Sequence, residues 1–255
     1  MTVDLHYRKS GYGQPLIILH GLFGSSDNWQ TIGKKLAEDF SVYLVDLRNH
    51  GHSPHSDEFS YELMCEDLHQ LIKNEKLNDI ILCGHSMGAK VAMFYTQKFP
   101  EQISKLIVVD MGIKKYPPHH QLIFDAIFSV DTDKISSRKE AEEILKNKIE
   151  DQGVLKFLLK NLYWKEEGKL AWRMNVRVIS EKIDEILSAV PPVVVKNETL
   201  FIRGEKSNYI LEDDWQEIMK IFPQAKLETI AGSGHWVHAE APVEFYNVLT
   251  KFIQQ

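Results

Sequence analysis

One serine flanked by two glycines, after a short apolar run and before a helical segment, constrains this chain more than any other feature. The run Asp79-Ile80-Ile81-Leu82-Cys83 leads into Gly84-His85-Ser86-Met87-Gly88, and helical spacing follows from Ala89 to Phe99. Strand, tight turn with one serine, helix: this is the pattern of a nucleophile elbow. The turn forces the serine into a strained backbone conformation and lifts its hydroxyl above the sheet. The glycines are needed because a side chain two residues before or after the serine would collide with the neighbouring helix and strand. The helix behind it aims its positive end at the place where an oxyanion would form. Chance alone supplies roughly 0.1 such five-residue matches in a chain of this length, so the setting carries the reading.

The rest of the chain alternates in a way that gives the serine a sheet to stand on. Leu16-Ile17-Ile18-Leu19 and Val42-Tyr43-Leu44-Val45 read as strands buried on both faces. A helix capped by Ser25 or Ser26 runs between them to about Phe40. Tyr61 to about Lys76 has helical spacing, with Leu63, Met64, Leu68, Leu71 and Ile72 on one side. Phe99-Pro100 stops the helix behind the serine, and Ile103–Asp110 is another strand. After Gly112 the rhythm changes. Pro117-Pro118 and Pro191-Pro192 bracket some 70 residues of helical pattern, at Gln121–Phe128, Arg138–Ile149, Val154–Leu162 and Val176–Leu187, with no convincing strand. Strands return at Thr199–Ile202 and Lys226–Ile230, with helices at Leu211–Phe222 and Pro242–Ile253. The implied class is α/β: a mostly parallel sheet covered on both faces, built from residues 1–112 and 191–255, with 113–190 inserted as a helical cap over the C-terminal edge of the strands, where such sheets bind ligands.

A serine hydroxyl needs a base to become a useful nucleophile. Of eleven histidines, His235 lies in Ala231-Gly232-Ser233-Gly234-His235-Trp236, a loop between the last strand and the last helix, at the same sheet edge as Ser86. His238 reads as part of the start of the last helix. His50, His52 and His55, and the His119-His120 pair, read as surface loops that could border the site entrance; none has metal-ligand spacing. Acyl transfer also needs two backbone N–H donors for the oxyanion. Met87 supplies one, and the loop His20-Gly21-Leu22-Phe23-Gly24 the other, through Leu22 or alternatively Phe23. Asp46 and Arg48 read as a structural ion pair or turn bond in a turn-rich loop, and Ser53 as a turn residue of the same kind.

These motifs together, His20-Gly21-Leu22-Phe23-Gly24-Ser25, Asp46-Leu47-Arg48-Asn49-His50-Gly51, Gly84-His85-Ser86-Met87-Gly88, Trp172-Arg173-x-Asn175 and then His235, resemble the α/β-hydrolase family with a helical cap, over essentially the whole chain. The resemblance is greatest to small bacterial esterases and thioesterases, with animal ABHD-type hydrolases as relatives. It implies a Ser–His–acid triad and no cofactor. In most of the family the acid follows the seventh strand, but Ser207 stands at that position here, and serine carries no charge. Asp110, at the end of the strand after the elbow helix, is the substitute, as the resembled branch also implies; Glu205 is the alternative. A carboxylate at that strand end would be at least partly buried and would need a partner, which His235 can be.

The expected activity is hydrolysis of carboxylic esters or acyl thioesters of short to medium chain through an acyl-enzyme. Cofactor-free haloperoxidase or perhydrolase chemistry on the same triad, and a non-catalytic ligand-binding role on the same fold, are the competing readings. A net charge of −6 with interspersed acids and bases argues against a nucleic-acid partner. No apolar run approaches 18 residues, so no membrane span is expected. Cys65 and Cys83 sit in apolar segments as free thiols, which suits a reducing, cytoplasmic setting. The partner is then a small-molecule substrate; monomer and dimer are both open.

Overall fold

The computed structural model describes all 255 residues. The chain runs β1 (Tyr7–Ser10), β2 (Pro15–Leu19), α1 (Gln30–Leu36), β3 (Ser41–Val45), α2 (Tyr61–Asn74), β4 (Ile80–His85), α3 (Met87–Lys98) and β5 (Ile103–Val109). Next come α4 (Gln121–Ser129), α5 (Arg138–Lys146), α6 (Gln152–Leu159), β6 (Leu162–Glu166), β7 (Lys169–Trp172), α7 (Val176–Glu181) and α8 (Ile183–Ile186). The last part is β8 (Glu198–Gly204), α9 (Asp214–Ile221), β9 (Ala225–Ile230), α10 (Val237–Glu240) and α11 (Pro242–Ile253).

Seven strands form one sheet in the order β1-β3-β2-β4-β5-β8-β9, parallel except for β1 at the edge. The period-2 alternation of each apolar strand sorts its side chains into two cores. Ile17, Leu19, Leu82, Leu106, Val108 and Phe201 face the layer that holds α2 and α3. Leu16, Ile18, Ile81, Cys83, Ile107 and Ile202 face α1 and α11, through Trp29, Ile32, Phe245 and Leu249. Both cysteines are buried free thiols. Ser60 caps α2 by accepting a hydrogen bond from the Leu63 N–H, a contact worth about 1 kcal/mol.

Because β2, β4, β5, β8 and β9 are parallel, their C-terminal ends lie along one edge. The loops that leave this edge carry the elbow, the His20–Gly24 turn, Asp110, Ser207 and His235. The segment between β5 and β8 is not wholly helical. Residues 162–172 form the antiparallel hairpin β6–β7, where the sequence reading had Leu162 closing a helix and no strand. Tyr163 and Trp164 favour extended backbone, and Gly168 at φ +75° makes the turn. No helix is long and apolar enough to cross a membrane.

Candidate active site

Ser86 sits at φ 54°, ψ −117°, the strained turn that the elbow requires. The flanking glycines are needed for the reason inferred from sequence. A Cβ on Gly84 would strike the Gly88 backbone, and one on Gly88 would strike the backbone of Leu19 and His20 on the neighbouring strand. Ser86 donates its own N–H to the Val109 carbonyl at 3.0 Å, which ties the elbow to the end of β5.

That same strand end carries Asp110, fully buried. Its Oδ2 accepts the Nδ1–H of His235 at 2.7 Å and the Ser207 hydroxyl, and its Oδ1 accepts the Gly204 N–H at 3.1 Å. A carboxylate acceptor fixes the proton of His235 on Nδ1 and leaves Nε2 as the free, proton-accepting nitrogen. Glu205 does not join this group. Its carboxylate accepts the Gly232 N–H at 2.8 Å and stays at the surface. Ser207, where the resemblance placed the family's acid, donates its hydroxyl to Asp110 at the end of β5.

The His235 loop is held from two sides. Glu240 accepts the N–H groups of Gly234 at 2.7 Å and Trp236 at 3.1 Å. His85, one residue before the serine, donates its Nε2–H to the His235 carbonyl at 2.9 Å. Ser86 and His235 line one cavity of about 460 Å³. No hydrogen bond joins the serine hydroxyl to the imidazole, and such contacts commonly tighten only when substrate binds.

The His20–Gly24 loop is fixed by buried histidines. His20 donates Nδ1–H to the Gly21 carbonyl at 2.8 Å and accepts the Leu47 N–H at 3.0 Å. His50 accepts the Phe23 N–H at 3.3 Å, which engages one of the two N–H groups weighed from sequence and leaves that of Leu22. Asn161, from the inserted segment, donates to the Phe23 carbonyl at 2.8 Å. His50 is therefore buried and not a surface residue. Burial, together with its neighbour His20, lowers it to about 3. His85 is pushed well below its usual value by burial and by the neighbouring rings of His235 and His238.

Asp46 and Arg48 are structural, though not partners of each other. Burial pushes Asp46 upward, but the nearby His20 and the N–H groups of Ser26 and His52 outweigh it and hold the carboxyl below its usual value. Arg48, fully buried, forms a two-armed ion pair with Asp67 of α2 at 2.6 and 2.8 Å. Asn175 donates to Asn49 and Ser56, so the Trp172–Asn175 motif fastens the inserted segment to the loop after β3. Among the cavity residues, Tyr209 and Trp236 gave no pattern to find.

Comparison with known proteins agrees with this fold. The α/β hydrolase fold model matches residues 14–148. The esterase YbfF of Escherichia coli is 33% identical over 94% of this chain and 92% of its own length. The sn-1-specific diacylglycerol lipase ABHD11 of Danio rerio is 35% identical over 100% of this chain and 82% of its own. Among solved structures, a marine microorganism esterase superposes with a TM-score of 0.96 at 43% identity, covering 98% of this chain and all of that one. The chain belongs to the α/β-hydrolase family.

Proposed function

We propose that this chain is a serine hydrolase that cleaves carboxylic esters and acyl thioesters of short to medium chain, with Ser86, His235 and Asp110 as its triad. Full-length similarity to proteins named as esterases and lipases supports a carboxylic ester hydrolase. The single observation that carries the site assignment is the buried Asp110–His235 contact at 2.7 Å, beside a serine on a strained elbow in the same cavity.

In this reading His235 Nε2 takes the Ser86 proton as Oγ attacks the acyl carbonyl carbon. The oxyanion that forms is received by the N–H groups of Met87, at the start of α3, and Leu22. As the tetrahedral species collapses, His235 returns the proton to the leaving alcohol or thiol, and an acyl-enzyme remains. Water, deprotonated by the same nitrogen, then attacks the acyl carbon, and the acid departs with Ser86 restored. Asp110 stays ionised throughout and balances the imidazolium.

Residues 113–190 act as the cap. Gly153, Val154, Phe157 and Leu158 of α6 line the same cavity as Ser86. A volume of about 460 Å³ lies toward the small end of the range for ligand sites, which supports short to medium acyl chains. The assay is a graded panel of p-nitrophenyl esters and acyl thioesters, with a fluorophosphonate probe for the nucleophile. Ser86→Ala is expected to lose probe labelling and several orders of magnitude in kcat. Near-normal turnover by a folded Ser86→Ala would refute the assignment.

A further inference from the structure

Tyr209 follows β8 in the loop that also carries Ser207. Its ring lies face to face with the His235 imidazole, with centroids 4.0 Å apart and planes within 19°. Three contacts hold it there. Its hydroxyl donates to His119 Nε2 at 2.8 Å, a nitrogen left free to accept because His119 Nδ1–H donates to the Pro117 carbonyl at 2.9 Å. Its carbonyl accepts the Tyr116 hydroxyl at 2.6 Å. Its N–H reaches Ser207 Oγ at 3.3 Å, the same hydroxyl that donates to Asp110. The ring is thus anchored from the core and from the segment between β5 and β8.

We infer that Tyr209 is a catalytic contact of the proposed hydrolase: its ring face orients His235 and stabilises the imidazolium formed when the histidine takes the serine proton. This rests on the triad reading above and extends it. The face of an aromatic ring is electron-rich and attracts a cation stacked on it, more so where water is excluded. A neutral imidazole gains far less, so the stack favours the transition state over the ground state, which is the condition for catalysis.

The other groups around His235 leave the effect readable. Asp110 is its ionised partner, and Glu240 and Glu205 bond to backbone N–H groups of the His235 loop. His85, His120 and His238, which also neighbour His235, are all lowered by burial and stay neutral where His235 is assayed. His119 bonds the Tyr209 hydroxyl and meets its ring edge to face. Burial, with a smaller push from Asp110, raises the Tyr209 phenol to about 12, so the ring stays neutral.

The test is the pH dependence of kcat/KM on a p-nitrophenyl ester. Replacing Tyr209 by Phe keeps the stack, and the acid-limb pKa is expected to stay near wild type. In Tyr209→Leu that pKa is expected to fall by on the order of half to one unit, with kcat down about tenfold and KM changed less than about twofold. Phenylalanines with increasing fluorination at position 209 keep shape and packing while draining the ring face. They guard against misfolding of the leucine variant, and the pKa should step down with each added fluorine. A pKa that stays flat across the fluorinated series, with Ser86→Ala and His235→Ala inactive, overturns the Tyr209 assignment alone. Activity retained by folded Ser86→Ala or His235→Ala overturns the triad reading and this inference together.

Discussion

Replacing Asp110 by Asn tests the acid assignment with little change in shape. Asp110 has φ +47°, a region Asn tolerates nearly as well as Asp, and one amide oxygen can still accept the Gly204 N–H. The change falls on Oδ2, which accepts both the His235 Nδ1–H and the Ser207 hydroxyl. If the amide NH₂ occupies that site it faces the Nδ1–H donor to donor. The imidazole then relieves the clash by moving its proton to Nε2, and the nitrogen facing the cavity no longer accepts one. The loss of the right tautomer and of the counter-charge to the imidazolium is worth three to four decades in kcat, roughly 4–5.5 kcal/mol. KM should change little, because no substrate contact is removed. Glu205→Gln keeps an oxygen for the Gly232 N–H and should stay within about threefold of wild type. Steady-state kinetics on one p-nitrophenyl ester, with thermal unfolding of each variant, reads both. A folded Asp110→Asn within tenfold of wild type, paired with an impaired Glu205→Gln, would assign the acid to Glu205.

Two pH effects on stability follow from buried groups. Burial lowers His50 and His238 from 6.5 to about 3. Below pH 6.5 the unfolded chain takes up protons that the folded chain refuses, so stability falls as pH drops toward 3. At pH 5 the two together cost about 4 kcal/mol relative to neutral pH; urea unfolding midpoints that match at pH 5 and pH 7 would refute this. Lys90 lies fully buried on α3, with its ammonium donating to the carbonyls of Lys114 and Ser188, at the two ends of the inserted segment. Burial lowers it from 10.5 to about 7. Between those values the unfolded chain holds a proton the folded one lacks, so stability rises with pH by up to about 1.4 kcal/mol per unit. Lys90→Met should lack that rise, and parallel curves for variant and wild type from pH 7.5 to 9.5 would count against it.

The sheet was legible because buried parallel strands write themselves as β-branched apolar runs, and Leu16–Leu19, Val42–Val45 and Ile103–Val109 all do so. The hairpin β6–β7 was not, since most of its residues face solvent or the segment's own helices, so no alternation of the kind that marks a half-buried strand is present. The Arg48–Asp67 pair was also hidden. It joins a loop to a helix 19 residues away, and neither residue carries a local sign of burial, whereas Asp46 beside Arg48 in sequence suggested a nearer partner.

Asp110 shows why one part of the proposed triad could be only half read. β5 and β8 are adjacent and in register, with Val109 paired to Ile202. Their C-terminal ends therefore lie side by side, and the Gly204 N–H bonds to Asp110. A carboxylate placed after either strand can meet the imidazole, so the sheet fixes where the acid must be but not which strand supplies it. The resemblance put a serine, Ser207, where the family's acid follows the seventh strand, which left Asp110 and Glu205 as candidates; the Ser207 hydroxyl bonds to the Asp110 carboxylate. Moving the acid back tests that equivalence: in Asp110→Asn with Ser207→Asp, a carboxylate from β8 should recover at least tenfold of the kcat lost in Asp110→Asn alone. Recovery with an unchanged acid-limb pKa would mean that the charge, and not the strand that carries it, is what His235 requires. A double variant no more active than Asp110→Asn would show that the two strand ends are not interchangeable in this chain.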